Sequence, residues 1–252
     1  MKYFLSLLLV GQIAFAQERM KPEETEVWEP EPQVIQPGIF TAPPSDAIVL
    51  FDGTDLSKWR SERNKEAATW TINPDKSMTV KPRSGGIETR DEHGSIQLHI
   101  EWKSPTEIKG EGQGRGNSGI LFQRRYEVQV LDSYQNRTYS NGQAGSIYKQ
   151  SIPLVNAMRP TGEWQVYDIV FNAPQYNEAG EEIKAGNFTV FHNGVLIQNS
   201  VEIQGTTEYI GKPKKGRDIM PGYGQGQETH RSLLLQDHGD LVSYRNIWMR
   251  KL

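Results

Sequence analysis

The sequence contains no cysteine. Disulfide bonds, thiolate metal sites and a cysteine nucleophile are therefore excluded. A chain of 252 residues without cross-links must draw its stability from an apolar core. If the chain is exported, an absence of disulfides suits a bacterial periplasm.

Long hydrophobic runs are also scarce. The apolar stretch Phe4–Val10 follows the basic Lys2 and precedes the small-residue motif Ala14-Phe15-Ala16. It is too short to span a bilayer, and the three-part pattern is typical of a signal peptide. We expect residues 1–16 to be removed by cleavage after Ala16 and the protein to be exported, periplasmic or secreted. Gln17 stands where a lipoprotein would carry cysteine, so we expect no membrane anchor.

Charge of one sign is not in large excess, because the net charge is only −3. This balance indicates neither nucleic acid nor an anionic membrane surface as a partner. Residues 17–45 nevertheless hold six of the fourteen prolines and six glutamates. Such a segment buries too little apolar surface to fold alone, so we interpret it as an acidic Pro-rich tether or as a strap along the domain. Residues 46–252 then form one domain.

A sustained helical period is missing, whereas short β-rich runs recur between Gly, Pro, Asn and Asp. Asn193-Gly194 between two such runs is the strongest hairpin signal. The pattern predicts an all-β, two-sheet antiparallel sandwich. The expected strands are Ile48–Phe51, Thr69–Ile72, Met78–Lys81, Ile96–Lys103, Ser118–Gln123, Tyr126–Leu131, Ser146–Tyr148, Trp164–Asn172, Asn187–His192, Val195–Gln198, Ser232–Gln236 and Tyr244–Arg250.

Several of these strands carry acids, amides or imidazoles on the face opposite their apolar residues. In Tyr126–Leu131, Val128 and Val130 point one way and Glu127 and Gln129 the other. One sheet of a sandwich can curve so that its outer face becomes a groove. We expect five side chains to line one concave surface, with long loops as its walls: Glu101, Glu127, Gln129, Gln236 and His238.

Taken together, the motifs resemble the 3-keto-disaccharide hydrolase family over residues 47–252. No single motif is specific, but the ordered set is. The matching pieces are Leu50–Trp59, Arg115–Ile120, Tyr126–Asp132, Gly145–Tyr148, Gly162–Asp168, Leu235–Gly239 and Val242–Ile247. The resemblance implies a concanavalin A-like jelly roll and action on an oligosaccharide or other glycoside oxidised at C3 of the sugar.

The implied chemistry needs a base, an acid and groups that hold the sugar. A ketone at C3 acidifies the C2 proton, so that a base can remove it, the C1 substituent can leave and water can add. The resemblance makes Glu127 or His238 the base, with the other or Asp132 as the acid and Glu101 as a further catalytic candidate. The candidates for binding substrate are Arg115, Asn117, Gln129, Tyr148 and Gln236.

Two other functions fit the same fold. A conventional retaining glycosidase needs two carboxyl groups about 5–5.5 Å apart, and Gln129 stands where laminarinase-type glucanases have a central acid. A non-catalytic, lectin-like carbohydrate-binding module needs aromatics and amides but no convergent titratable groups. The acids together with His238 favour an enzyme.

The histidines are scattered and give no metal-ligand spacing. We therefore assign no metal site and no definite cofactor. A divalent cation, Ca²⁺ or another, stays open because Asp and backbone carbonyl oxygens in loops can bind one.

Overall fold

The computed structural model describes residues 20–215 and 227–252. The chain separates into two compact units, Met1–Val34 and Ile35–Leu252. The described part of the first unit contains one short 3₁₀ turn, Pro22–Thr25, and the side chains of Val27 and Trp28 are exposed. The expected signal peptide lies outside the described residues. Within the described part of the chain, no helix is long and apolar enough to cross a membrane.

The described residues of the second unit are built from sixteen strands and two short 3₁₀ turns, Gly112–Gly114 and Ser140–Gly142. The strands are β1 (Ile48–Phe51), β2 (Trp59–Ser61), β3 (Thr71–Ile72), β4 (Met78–Thr79), β5 (Ile87–Thr89), β6 (Ile96–Lys103), β7 (Ser118–Phe122), β8 (Tyr126–Val130), β9 (Gln165–Asn172), β10 (Gln175–Tyr176), β11 (Glu182–Lys184), β12 (Asn187–His192), β13 (Val195–Glu202), β14 (Gln227–Glu228), β15 (Leu234–Leu235) and β16 (Ser243–Lys251).

These strands form two large antiparallel sheets and a small one. The larger sheet has the order β13-β12-β9-β6-β16-β4-β3, with β1 paired to β16. The second has the order β2-β5-β15-β7-β8, and a three-stranded sheet has the order β11-β10-β14. The predicted all-β sandwich of antiparallel sheets is confirmed.

The core lies between the two large sheets because their strands alternate. On β6, Ile96, Leu98, Ile100 and Trp102 are fully buried. Phe122 at the end of β7 meets Phe171 of β9 with ring centroids 5.1 Å apart, so rings from the two sheets pack together. Burying such a side chain contributes about 1.5–3 kcal/mol, which compensates for the absence of disulfides.

The hairpin of β12 and β13 forms as predicted. His192 pairs with Val195, so Asn193 and Gly194 alone make the turn. Both have positive φ, 53° and 81°, as a two-residue turn matching the strand twist requires.

The strand predictions differ from the structure in several details. Ser146–Tyr148 forms an isolated bridge rather than a strand, since the chain turns at Ile147, whose carbonyl accepts from Gln150 N. β2 and β5 were missed because each has three residues, too few to display alternation. The segment between β9 and β12, for which no strand was predicted, contains β10 and β11.

The segment before β1 is tied to the larger sheet through its backbone. Gln36 and Ser45 hydrogen-bond to each other and close a loop. The carbonyl of Thr41 accepts from Asn246 Nδ2 at 2.9 Å and from Trp248 Nε1 at 3.0 Å. These polar contacts cover part of the outer face of that sheet.

Candidate functional site

The outer face of the five-stranded sheet carries the polar side chains that the sequence singled out. In the β7–β8 pair, Leu121 lies opposite Glu127, and Gly119 lies opposite Gln129. Val128 and Val130 are fully buried on the core side. The alternation of β8 therefore places its acid and its amide together on the outer face, as predicted.

A cavity of about 240 Å³ opens on this face. It brings together Glu127, His238 and four of the predicted binding residues. The lining residues are Asn117, Leu121, Glu127, Gln129, Tyr148, Thr207, Tyr209, Gln236 and His238. Thr207 and Tyr209 form part of the wall expected from the loop after β13.

Glu127 is a buried carboxyl with no cation beside it. Its side chain forms no ion pair among the described residues, and burial raises its pKa to about 8. Gly119 makes room for it, because a Cβ at that position would stand 2.6 Å from Glu127 Oε1. The carboxyl is thus largely protonated at neutral pH and is suited to donate a proton.

His238 reaches the cavity from the chain that follows β15, and its side chain is exposed. The adjacent Asp237 does not engage it, since its carboxylate accepts from the backbone N–H groups of Gly85 at 2.9 Å and Gly239 at 3.0 Å. Gln236, of the same parity as His238, has a buried Oε1 without a hydrogen-bond partner. Among the described residues this amide oxygen has no partner, and the exposed imidazole lines the cavity, so both are placed to meet a ligand.

Tyr148 and Asn117 are held at the cavity by hydrogen bonds. The hydroxyl groups of Tyr139 and Tyr148 lie 2.5 Å apart. Burial, with this bond and nearby groups including Glu127, raises the pKa of Tyr148 well above its usual range, so its hydroxyl stays protonated. Asn117 N donates to Asp240 Oδ2 at 2.7 Å, which fixes the start of β7.

Asp132 and Arg115 do not reach this cavity. Arg115 Nε donates to Asp132 Oδ2 at 2.8 Å, and Thr161 Oγ1 donates to the same oxygen at 2.8 Å. Asp132 follows the end of β8, so the alternation that aims Glu127 and Gln129 outward does not extend to it. The pair lines a separate cavity together with Gly239 and Asp240. The pair links the segment before β7 to the segment after β8.

Glu101 lies on the other large sheet and not with the other candidates. Its carboxylate accepts from Arg245 Nε at 2.6 Å, from Asn246 Nδ2 at 3.0 Å and from Thr41 Oγ1 at 3.2 Å. Despite desolvation, hydrogen bonds from His99 and Asn246 and the charge of Arg245 hold the pKa of Glu101 low, at about 2. The expectation of one surface with Glu127 assumed that both strands belong to the same sheet.

A second buried glutamate shares the outer face with Glu127. Across the five-stranded sheet, Glu88, Leu234, Leu121 and Glu127 stand opposite one another in register. The carboxylate of Glu88 forms ion pairs at 2.7 Å, 2.9 Å and 3.1 Å. Its partners are Arg60, Lys65 and Arg124. One row of the sheet therefore carries a neutralised acid at one end and an unpaired acid at the other.

Sequence reasoning missed Leu121, Thr207 and Tyr209 as lining residues. Leu121 points to the same outer face as Glu127, but it was not considered because it is apolar. Thr207 and Tyr209 belong to a loop whose path no periodicity predicts, although Thr207 Oγ1 accepts from Glu127 N at 2.9 Å.

No metal centre emerges from the geometry. Throughout residues 20–215 and 227–252, no three His, Asp or Glu side chains are grouped so as to hold a metal ion. The donors at the cavity, chiefly Glu127 and His238, do not by themselves fit a divalent cation site.

Comparison with known proteins places this chain in a family. The profile of the 3-keto-alpha-glucoside-1,2-lyase-like domain matches residues 46–250. A 3-keto-disaccharide hydrolase from Bacteroides thetaiotaomicron is 26% identical over 251 residues, which cover 81% of this chain and 78% of that protein.

Two crystal structures from Parabacteroides distasonis, both provisionally assigned as glycosyl hydrolases, are also similar. The first is 48% identical with a TM-score of 0.83 and covers 92% of this chain and 97% of its own. The second is 21% identical with a TM-score of 0.55, covers 82% of this chain and 94% of its own, and supports the fold alone. These comparisons support the predicted hydrolase class and confirm the predicted family. The chain belongs to the family of 3-keto-alpha-glucoside-1,2-lyase-like domains.

Proposed function

We propose that this protein is a carbohydrate-active enzyme that cleaves 3-keto-glycosides, among them 3-keto-disaccharides, with net hydrolysis. The observation that carries the proposal is the meeting of a buried, uncharged carboxyl and an exposed imidazole in one cavity, Glu127 and His238. Family membership and the name of the Bacteroides relative support it.

The two side chains differ in the way that the chemistry requires. A carboxyl with a pKa of about 8 holds its proton at neutral pH, so Glu127 is assigned as the acid. His238 is exposed and lacks a carboxylate partner in Asp237, so its imidazole is assigned as the base. The geometry thus favours one of the assignments that the sequence left open.

The proposed reaction has two stages. His238 takes the proton from C2, the electron pair forms the C1=C2 double bond conjugated with the ketone, and the C1–O bond breaks as Glu127 protonates the leaving oxygen. Water then adds its oxygen to C1 while its proton goes to the Glu127 carboxylate, and His238 returns a proton to C2. The half-buried Gln236 and the buried Asn117 and Tyr148 offer hydrogen bonds to the sugar.

A conventional retaining glycosidase is disfavoured by the cavity itself. Of its described lining residues, Glu127 is the only carboxylate, and Asp132 is held by Arg115 elsewhere. A second carboxyl about 5–5.5 Å away, as that mechanism needs, is not among them. A non-catalytic, lectin-like module would not need a buried carboxyl group without a cationic partner.

The test is product analysis of the full chain on matched 3-keto and unoxidised disaccharides, with and without chelator. Release of a 3-keto sugar only from the oxidised substrate is expected. Binding without cleavage would overturn the proposal in favour of a lectin-like module. Cleavage of the unoxidised sugar would favour an ordinary glycosidase, and loss of activity with chelator would require a cation.

Proton exchange in D₂O separates the two roles. Glu127→Gln is expected to retain exchange at C2 of the 3-keto sugar while losing cleavage, because its base is intact. His238→Ala is expected to lose both. If C2 exchange is lost in Glu127→Gln but retained in His238→Ala, the assignment of base and acid is reversed.

A further inference from the structure

The cavity has two ends, and the strand register assigns its two titratable side chains to them. Glu127 lies opposite Leu121 across the β7–β8 pair. β15 runs antiparallel to β7, and Gln236 N donates at 3.0 Å to the carbonyl oxygen of Gly119, two residues before Leu121. His238 follows Gln236 by two further residues, which takes the chain still farther from the row of Glu127. Glu127 and His238 therefore mark opposite ends of the cavity.

The Glu127 end of the cavity is built by the loop after β13. Thr207 Oγ1 accepts from Glu127 N at 2.9 Å, and Thr207 N donates to Arg125 O at 2.7 Å. Two residues on, Tyr209 lines the cavity with its side chain 71% exposed. Tyr148, the other tyrosine among the described lining residues, is buried. Tyr209 is therefore the aromatic ring that a ligand at this end can cover.

Lys149 holds the ring of Tyr209 in place. Its Nζ donates to the carbonyl oxygen of Tyr209 at 2.6 Å and stands over the ring, 4.6 Å from the centroid. The same ammonium lies 5.6 Å from the ring centroid of Tyr139 and 5.9 Å from that of Tyr148. One cation thus contacts both the backbone and one face of Tyr209. The other face is open, and its support is in place before a ligand binds.

The proposed mechanism brings the leaving unit to this ring. Glu127 protonates the leaving oxygen, so the unit attached to that oxygen lies at the Glu127 end, and the 3-keto ring lies toward His238. A sugar ring carries C–H groups on its faces and hydroxyl groups around its rim. An aromatic face can cover those C–H groups, whereas a methoxy leaving group has no ring to offer it.

We propose that Tyr209 is a specificity-determining residue that forms the binding subsite for the leaving unit, a second sugar ring stacked on its open face. The proposal rests on the proposed function and deepens it, because the role of Glu127 as the acid is what marks the leaving side. Methyl glycosides of the same 3-keto sugar then bind without this contact.

The experiment compares two substrates that differ only in the leaving unit, a 3-keto-disaccharide and the methyl glycoside of the same 3-keto sugar. In Tyr209→Ala, kcat/KM for the disaccharide is expected to fall about tenfold, the usual size of a lost aromatic contact. The loss should lie in KM, since the contact is present before and during reaction. The methyl glycoside should be unaffected, and Tyr209→Phe, which keeps the ring, should behave as the wild type.

Ile210→Ala is the matched control. Ile210 is the next residue, is 81% exposed and is not among the described residues that line the cavity, so its loss should affect neither substrate. An equal loss on both substrates in Tyr209→Ala, or a similar loss in Ile210→Ala, would assign the effect to the loop and overturn the inference. An unchanged KM for the disaccharide would overturn it too, as would a Tyr209→Phe variant as impaired as Tyr209→Ala.

Binding separates this inference from the proposed function. Calorimetric titration of the full chain carrying Glu127→Gln needs no turnover. Adding Tyr209→Ala is expected to raise the Kd for the 3-keto-disaccharide about tenfold and to leave that for the methyl glycoside unchanged. If the wild type releases no product, the proposed function fails, and this difference in Kd still decides whether Tyr209 binds a second sugar ring. Equal Kd values, or no measurable binding of the disaccharide to either variant, would overturn the inference.

Discussion

Replacing Glu127 by glutamine is expected to lower the activity and to raise the free energy of unfolding, and the gain in stability is expected to depend on pH. The carboxyl has an ordinary pKa of 4.5, and burial raises it to about 8 in the folded protein. Between these values the folded state binds more protons than the unfolded state. The stability associated with Glu127 is therefore full below pH 4.5 and is lost as the pH rises toward 8.

The size of this effect follows from the shift. Each pH unit in this window costs about 1.4 kcal/mol of unfolding free energy, or about 3 kcal/mol by pH 7. Glutamine has no proton to lose, so Glu127→Gln escapes the penalty. The variant should gain stability over the wild type as the pH rises from 5 to 8 and should match it closely near pH 4.5. Its turnover of 3-keto substrate should fall by about 10²–10⁴-fold, the usual contribution of a general acid.

Urea unfolding of both proteins at a series of pH values, together with initial rates, measures both effects. Glu107→Gln is the matched control, because Glu107 is exposed and its one ion pair within the described part of the chain is with Lys109, so the change should alter neither quantity. A stability difference that is flat with pH would refute the reasoning about burial. Turnover within tenfold of the wild type would refute the role as acid.

Three further predictions concern the other parts of the molecule. His238→Ala should lower kcat by about 10²–10⁴-fold with an unchanged melting temperature, because the side chain is exposed; rates and a thermal melt check this. Asp132→Ala should destabilise the fold by about 3 kcal/mol in urea by leaving Arg115 without its partner, while selectivity for the 3-keto substrate persists. Gly194→Ala should cost about 1–2 kcal/mol in the same assay because φ is 81° there, although a Cβ would meet no atom within 4 Å.

Much of the fold could be predicted because its strands have one buried face. β6 and β12 have the predicted bounds, and β8 differs by one residue, since apolar residues alternate cleanly in all three. Three-residue strands such as β2 and β5 depend on neighbouring strands for their pairing. A local pattern did not identify them.

For the candidate site, the alternation of residues along each strand predicted which side chains share a face of that strand. Glu127 and Gln129 share a face, and Gln236 and His238 join them in the cavity. Glu101 shows the limit, since alternation tells which residues share a face of one strand but not which strands share a sheet.

The row that joins Glu88 to Glu127 shows how one kind of side chain acquires two opposite uses on a single surface. Three cations surround the first acid, whereas Leu121 stands beside the second. In the proposed mechanism, reactivity on this surface depends on a missing charge as much as on a present one. A single arginine on the neighbouring strand would then remove the activity while Glu127 and His238 stayed in place, so comparison of those two residues alone would not reveal an inactive relative.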